Sequence, residues 1–288
     1  MKNDFTCGFI GLGLIGGSIA RALRKFYPEC CLLAYDINRQ AIDAAMKDGV
    51  INVPLFSINE ELRDCDYIFL CAPVAENDNN LSELKKYLSK DCLLTDVGSV
   101  KTDIHKNIEK AGLSSQFIGG HPMAGKERSG FKNSDENLFN RASYILTPTD
   151  NTDPKALDIA KQYVEALHCA KLTVTDPKTH DRMIAFTSQL PHIIAGAYVK
   201  SPSVNDRKGF SAGSFKDVSR VATVDENLWT ELFLKNSEML LSEIDGLIEH
   251  LADYRNSIAQ NDAVHLKEII KQGRIIKEND LKESDERK

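Results

Sequence analysis

The stretch Cys7–Leu23, CGFIGLGLIGGSIARAL, decides the fold of this chain. An apolar, strand-like run leads into Gly11, Gly13 and Gly16, and a helical pattern follows directly. In a G-x-G-x-x-G turn the first glycine permits the tight turn, the second lets the backbone approach a pyrophosphate, and the third lets helix and strand pack closely. The helix N-terminus then offers unpaired N–H groups to the phosphates. The stretch therefore predicts a strand–turn–helix unit that binds a dinucleotide.

The next strand-like run supports this prediction. It reads CLLAYD and ends in Asp36, twenty residues after Gly16. An acidic side chain there would accept hydrogen bonds from the adenosine ribose and would repel a 2′-phosphate, which favours NAD over NADP. Arg39 could hold that phosphate instead, so NADP stays an alternative, whereas nothing later in the chain suggests a flavin fold for FAD. We expect the cofactor to contact Gly11, Leu12, Gly13, Leu14, Ile15, Gly16, Asp36, Arg39, Cys71, Ala72, Pro73 and Ser99.

Short apolar runs alternate with helical patterns from Thr6 to about Thr175. Continuous apolar strands separated by helices predict a mostly parallel sheet with helices on both faces. After Asp176 the strand signals end and helical periodicity takes over. The sequence thus predicts an α/β fold, with a Rossmann-type domain over residues 1–175 and an all-helical domain over residues 176–288. The candidate strands are TCGFI, CLLAYD, DYIFLCAP, CLLTDVGS, QFIGGHP, ASYILT and AKLTVT.

A heptad-like apolar seam marks the second half. Its spacing of four and three residues is typical of a helix face that packs against another helix. The seam fits a homodimer interface, and it fits packing within the chain nearly as well. Its residues are Leu240, Ile244, Leu247, Leu251, Tyr254 and Ile258.

Composition narrows the class of protein. The 288 residues carry a net charge of −6, which argues against a surface for nucleic acid. No apolar run reaches the roughly 18–20 residues that a membrane helix needs, and the N-terminus lacks a signal-peptide layout. The seven cysteines form no C-x-x-C pair. They favour reduced thiols in a cytoplasmic protein over a disulfide framework or a zinc or other metal site.

The stretch Gly119–Phe131, GGHPMAGKERSGF, carries a histidine just after a strand-like run, in a sequence that we expect to lack regular structure. In such sheets, ligands bind beyond the carboxyl ends of the strands, where Cys71, Ser99 and His121 are predicted to lie. A carbon that bears a hydroxyl releases a hydride only if the hydroxyl loses its proton. A neutral imidazole is the natural acceptor near pH 7. We therefore expect His121 to be the base and Ser99 to orient it or the substrate hydroxyl.

The motifs DVGSVK, GGHPMAGKERSGF, SQLPHIIAGA and GSFKDVSRVA…LW together resemble the prephenate dehydrogenase family of tyrosine biosynthesis, over nearly the whole chain. The resemblance implies NAD-dependent oxidative decarboxylation of prephenate to 4-hydroxyphenylpyruvate, and a helical dimerisation domain after the Rossmann-type domain. It implies that His121 takes the proton of the ring 4-hydroxyl and that Ser99 assists. It also implies that Arg220 grips a substrate carboxylate. The other substrate contacts that it implies are His192, Gln189, Trp229 and, near the entrance, Glu127.

One departure from the family pattern concerns Gln189, because relatives often carry a histidine there. The nearest alternative is arogenate dehydrogenase, which shares the fold and the chemistry and whose substrate has an amine in place of the side-chain keto group; Gln189 and His192 are where we expect the two to differ. A β-hydroxyacid dehydrogenase would be expected to use a lysine on the helical domain and would leave the GGHPMAG loop unexplained. A non-catalytic NAD-sensing protein would have no reason to keep Ser99, His121 and Arg220 together. Many relatives also carry a regulatory domain, for which we expect no room in 288 residues.

Overall fold

The computed structural model describes residues 4–126, 128–210 and 213–286. Within these ranges, eight strands form one sheet in the order β3-β2-β1-β4-β5-β6-β7-β8. Neighbouring strands are parallel except β6 and β7, which are antiparallel. The prediction of a mostly parallel sheet is therefore confirmed. The strands are β1 (Thr6–Ile10), β2 (Cys31–Tyr35), β3 (Val53–Leu55), β4 (Tyr67–Leu70), β5 (Leu93–Asp96), β6 (Phe117–Pro122), β7 (Ser143–Thr147) and β8 (Lys171–Val174).

Helices cover both faces of the sheet, because the strands are apolar on both sides and need a cover on each. One buried cluster includes Ile19, Ile42 and Tyr163, which lie on α1, α2 and α5. The other includes Leu84 and Ile104, which lie on α3 and α4. These helices are α1 (Leu14–Phe26), α2 (Arg39–Lys47), α3 (Val74–Leu84), α4 (Thr102–Ala111) and α5 (Pro154–Ala166).

The described elements that follow β8 are all helical. The helices α6 and α7 are joined by a π-helical segment, Ala185–Gln189, so that the three segments form one nearly continuous helix after the sheet. The sheet ends just before residue 176, and we keep residues 1–175 and 176–288 as the proposed domains. The helices are α6 (Pro177–Ile184), α7 (Leu190–Tyr198), α8 (Gly213–Ser219), α9 (Glu226–Lys235), α10 (Ser237–Ala259) and α11 (Ala263–Glu286).

The apolar seam lies on α10, as the spacing predicted, but its two ends differ. Leu240 is buried, and Ile244 and Leu247 pack against the same small cluster around α7. Leu251 and Ile258, in contrast, are 57% and 63% exposed. Packing within the chain thus accounts for the first half of the seam and leaves the second half uncovered. Among the described residues, no helix combines the length and the apolar character needed to cross a membrane.

The stretch Gly119–Phe131 begins as regular structure, which agrees with the candidate strand QFIGGHP and not with the expectation that the whole stretch lacks regular structure. Its first four residues belong to β6. A Cβ on Gly119 would collide with the Thr147 hydroxyl, and one on Gly120 would lie 2.6 Å from the Asp96 carbonyl oxygen. The two glycines are therefore needed for close packing between neighbouring strands, and they do not interrupt β6.

Candidate active site

The carboxyl ends of β1, β4, β5 and β6 lie side by side at one edge of the sheet, since these strands are parallel neighbours. The glycine turn follows β1 and Cys71 follows β4. Ser99 comes after β5, and His121 is the next-to-last residue of β6. The structure therefore brings the predicted cofactor loop and the predicted base to the same edge.

The glycine turn has the shape that a dinucleotide requires. Gly11 has a φ of +97°, and a Cβ there would lie 2.6 Å from the Ala72 backbone nitrogen, so only glycine fits. Nothing lies within 4 Å of the position that a Cβ on Gly13 would occupy. The helix α1 begins directly after Gly13 without a side-chain cap. Open space in front of an uncapped helix N-terminus suits a pyrophosphate.

Asp36 lies against the same turn. Its Oδ2 accepts a hydrogen bond from the Leu12 N–H at 2.6 Å, and its Oδ1 accepts one from the Asn38 N–H at 2.7 Å. Each carboxylate oxygen has a further lone pair, so ribose hydroxyls can still donate to it. Asp36 therefore holds the glycine turn in place and remains able to bind a ribose.

Arg39 is held away from that role by its neighbours. Its Nη1 donates to the Leu55 carbonyl oxygen at 3.0 Å, and its guanidinium lies 4.1 Å from the centroid of the Phe56 ring. To bind a 2′-phosphate, Arg39 would have to give up the hydrogen bond and the cation–π contact. This arrangement supports the preference for NAD over NADP.

His121 is buried, and its hydrogen-bond partner is a second histidine. Its Nδ1 lies 2.9 Å from Nε2 of His180. Burial, together with the neighbouring charges of His180 and Lys101, lowers the pKa of His121 well below its ordinary value. The imidazole is therefore neutral near pH 7, which is the state that a proton acceptor needs.

His180 itself is joined to Asp181, since its Nδ1 lies 2.8 Å from the Asp181 carboxylate. Sequence reasoning missed this pair, because it stands 59 residues after His121 at the start of α6. Adjacent histidine and aspartate in THDR, just after an N-cap aspartate, were the available signal. Burial lowers the pKa of His180 as well, although its bond to Asp181 opposes that shift.

A buried ion pair between Lys101 and Asp96 lies near His121. Lys101 Nζ bonds Oδ2 of Asp96, and both side chains are almost fully buried. Asp96 also accepts hydrogen bonds from the N–H groups of Gly98 and Gly120, at 2.9 and 3.1 Å. Burial lowers the pKa of Lys101, while Asp96 acts in the opposite direction. Through these bonds the pair joins β5, the loop after it and β6, the strand that carries His121.

A second group of predicted residues lies on the helical half. Nδ1 of His192 bonds the Val221 carbonyl oxygen at 2.7 Å, and the His192 and Trp229 rings are 3.8 Å apart. Arg220, next to Val221, is exposed. A carbonyl oxygen only accepts, so the His192 Nδ1 carries the hydrogen and Nε2 is left for a ligand. The structure thus groups His192, Trp229 and Arg220.

Gln189 lies inside the helical half. It is only 1% exposed, and both ends of its amide form a hydrogen bond. Nε2 donates to the Leu232 carbonyl oxygen at 3.1 Å, and Oε1 accepts from Asn236 at 2.8 Å. The π-helical segment places this side chain in the helical core, and its amide keeps one further N–H and one further lone pair. The substrate contact expected of Gln189 remains a prediction.

Two further predicted residues receive less support. Ser99 is half-buried at its strand end, and within the described part of the chain no hydrogen bond joins it to His121. Glu127 lies outside the described residues. Ser99 remains a candidate for contact with a ligand, because it occupies the loop between the cofactor turn and the base.

Comparison with known proteins identifies the family. Residues 19–173 match the family model described as the prephenate dehydrogenase nucleotide-binding domain. Residues 176–272 match the prephenate dehydrogenase dimerization domain. The chain belongs to the prephenate dehydrogenase family. The resemblance predicted from the motifs is confirmed.

Individual members of the prephenate dehydrogenase family resemble the chain over most of its length. The prephenate dehydrogenase of Bacillus subtilis (strain 168) is 34% identical over 263 residues, which cover 89% of this chain and 71% of that protein. The crystal structure of Aquifex aeolicus prephenate dehydrogenase with hydroxyphenyl propionate and NAD+ is 32% identical. It matches with a TM-score of 0.84 and covers 96% of this chain and 98% of its own. The nucleotide-binding family model and this complex support NAD as the cofactor.

One solved relative carries a different substrate in its name. The crystal structure of Synechocystis arogenate dehydrogenase is 29% identical, with a TM-score of 0.85, and covers 96% of this chain and 99% of its own. Prephenate and arogenate dehydrogenases therefore resemble this chain equally well in fold. The comparisons establish an NAD-dependent dehydrogenase of this family and leave its substrate open.

Proposed function

We propose that the chain catalyses the NAD-dependent oxidative decarboxylation of prephenate to 4-hydroxyphenylpyruvate, with His121 as the base. The observation that carries the proposal is the neutral, buried imidazole at the end of β6, beside the strand ends that form the dinucleotide turn. Asp36 and the N-terminus of α1 would hold NAD at that turn, where it would supply the hydride acceptor for ring C4. His121 accepts the 4-hydroxyl proton as positive charge develops at C4. Loss of CO2 from C1 then makes the ring aromatic.

The group on the helical half supports binding of an acidic substrate. Prephenate carries two carboxylates, and an exposed guanidinium such as that of Arg220 can bind one of them with two parallel hydrogen bonds. We propose that Nε2 of His192 contacts the substrate too, while Trp229 keeps the His192 ring in place. Ser99 and Glu127 remain proposed contacts, near the nicotinamide and the entrance respectively.

Arogenate is the second candidate substrate, because the Synechocystis structure that carries that name matches the chain in fold. It differs from prephenate only in the side chain, where an amine replaces the keto oxygen. The same base and the same carboxylate contact would serve both substrates. Gln189 and His192 are where we expect selectivity to arise.

The test is NADH absorbance with purified protein, NAD and either prephenate or arogenate. A rise with prephenate that greatly exceeds the rise with arogenate supports the proposal. A rise with arogenate alone keeps the mechanism and changes the substrate. No rise with either substrate, with NAD or NADP, would overturn the proposed activity.

We also propose a cytoplasmic homodimer formed through the helical half. The dimerization-domain match and the uncovered half of the α10 seam support this assembly. Light scattering should give twice the 32.1 kDa of one chain. Leu251→Glu, which places a charge in the uncovered seam, should lower that mass towards one chain. A monomeric wild type would contradict the proposal.

A further inference from the structure

A carboxylate fixes the direction of the hydrogen bonds that lead to His121. Oδ1 of Asp181 accepts the Lys101 N–H and Oδ2 accepts the Thr102 N–H, each at 2.8 Å. Burial alone would raise the pKa of Asp181, but hydrogen bonds from His180 and Thr102 outweigh it and lower that pKa below its ordinary value. Asp181 is therefore ionised near pH 7, and an ionised carboxylate can only accept hydrogen bonds.

The ionised Asp181 determines which atom is the donor in each remaining hydrogen bond. Since Asp181 only accepts, Nδ1 of His180 must carry the hydrogen at 2.8 Å. In a neutral imidazole the other nitrogen is then an acceptor, so Nε2 of His180 presents its lone pair. The hydrogen between the two rings must belong to Nδ1 of His121. Nε2 of His121 is left with a free lone pair, which is where a base needs it.

We propose that His180 and Asp181 are positioning residues that hold His121 in the tautomer with its lone pair on Nε2. The inference rests on the proposed function, because it assigns a task to the neighbours of the base. Neither residue needs to touch the substrate. Their effect passes through the single hydrogen bond between the two imidazole rings.

The same series of hydrogen bonds, from His121 through His180 to Asp181, also stabilises the charge that forms during the reaction. When Nε2 of His121 takes the hydroxyl proton, the imidazolium still donates from Nδ1 to Nε2 of His180. The negative charge of Asp181 lies one imidazole further along and offsets the new positive charge. The phenol of the product carries a proton again, so His121 returns the proton and the chain is restored.

The position of Asp181 links this function to the contact between the two halves of the chain. Asp181 lies on α6, and the N–H groups that it binds precede and begin α4, on the sheet half. Its carbonyl oxygen accepts a hydrogen bond from Asn236 at 2.9 Å, and Asn236 in turn bonds Gln189. The hydrogen bonds that lead to His121 therefore also join the two halves of the chain.

Other charged groups near His180 and Asp181 shift the pKa of His180 in opposite directions. Lys101 and Asp96 lie on the sheet side of His180 and form their own ion pair. Lys101 lowers the pKa of both histidines, whereas Asp96 and Asp181 raise that of His180. A substitution at His180 leaves this ion pair intact. It therefore tests the chain of hydrogen bonds separately from the surrounding charge.

Two substitutions at His180 separate positioning from packing. His180→Gln keeps an acceptor for His121, because Asp181 can accept from the amide NH2 and so direct the amide oxygen towards His121. His180→Leu fills the space without an acceptor. We expect kcat to fall about 100-fold or more in His180→Leu and within about 10-fold in His180→Gln, with substrate KM and NAD affinity little changed in both. Equal losses in both variants, or no loss in His180→Leu, would overturn the inference.

The tautomer itself can be read without turnover, by nitrogen NMR of protein labelled with 15N-histidine. The wild type should show His121 with a hydrogen on Nδ1 and a bare Nε2, with His121→Asn used to assign the signals. In His180→Leu the hydrogen should move to Nε2. A wild-type His121 with its hydrogen on Nε2, or the same tautomer in His180→Leu, would contradict the inference. If the tautomer is as expected and neither substrate reacts, the proposed function fails while the positioning stands.

Discussion

Two buried histidines, His121 on β6 and His105 on α4, lie in similar surroundings and differ in what their hydrogen bonds lead to. Burial lowers the pKa of both, that of His105 to about 4. His105 bonds the Thr147 hydroxyl at 2.9 Å, and a hydroxyl can donate or accept. His121 leads through His180 to a carboxylate. Burial therefore keeps both imidazoles neutral. The hydrogen bonds that lead from His121 to Asp181 determine which nitrogen of His121 carries no hydrogen.

The largest expected effect comes from removal of the base. His121→Asn can still donate a hydrogen bond to His180, so the fold and NAD affinity should be kept, while kcat falls by roughly 10²–10⁴. Steady-state NADH formation and NAD titration measure the two effects. Turnover close to that of the wild type would show that His121 is not the base. It would also mean that His121 and His105 do not differ in their role in turnover.

A smaller effect distinguishes binding from proton transfer. Arg220→Gln should raise the KM for the substrate about 10- to 100-fold with little change in kcat, because a charge-assisted contact worth about 1.5–3 kcal/mol is lost. Lys216→Gln removes another exposed charge nearby on α8 and should leave KM unchanged. If both variants raise KM alike, general charge and not a specific carboxylate contact is responsible.

His105 should matter for acid stability and not for turnover. Its pKa is about 4 in the folded chain and about 6.5 when unfolded, so the unfolded state binds more protons as pH falls below 6.5. His105→Gln cannot titrate and can still bond Thr147. Between about pH 7 and pH 5 the variant should therefore lose about 2 kcal/mol less unfolding free energy than the wild type.

Urea unfolding at the two pH values measures this difference, and kcat of His105→Gln should stay within a few-fold of wild type. An equal acid loss in variant and wild type would show that His105 titrates normally. A large loss of kcat would make the two buried histidines equivalent and would contradict the comparison.

The smallest expected effect concerns the cofactor. Asp36→Ala should narrow the preference for NAD over NADP by about 10-fold in kcat/KM, because the repulsion of a 2′-phosphate is removed. Asp36→Asn keeps an acceptor for the Leu12 N–H and separates loss of charge from loosening of the turn. An unchanged NAD-to-NADP ratio in both variants would reject the ribose role of Asp36.

The fold could be predicted from the sequence because long apolar runs mark buried parallel strands. The short strand β3, Val53–Leu55, was missed, since three residues with a central proline carry too little pattern. His121 could be found from its place after a strand. His180 could not, because the pairing joins elements 59 residues apart in sequence. The bonds of Gln189 to Leu232 and Asn236 could not be predicted, because a motif position does not show which way a π-helical segment turns its side chains.

The most direct test of the account is the pH dependence of kcat/KM in the wild type and in His121→Asn. Only neutral His121 can accept the proton, so wild-type kcat/KM should fall on the acid side alone as His121 becomes protonated. Its lowered pKa places that fall well below pH 6.5. The account predicts that the fall disappears in His121→Asn. The same acid fall in His121→Asn would show that another group is the base.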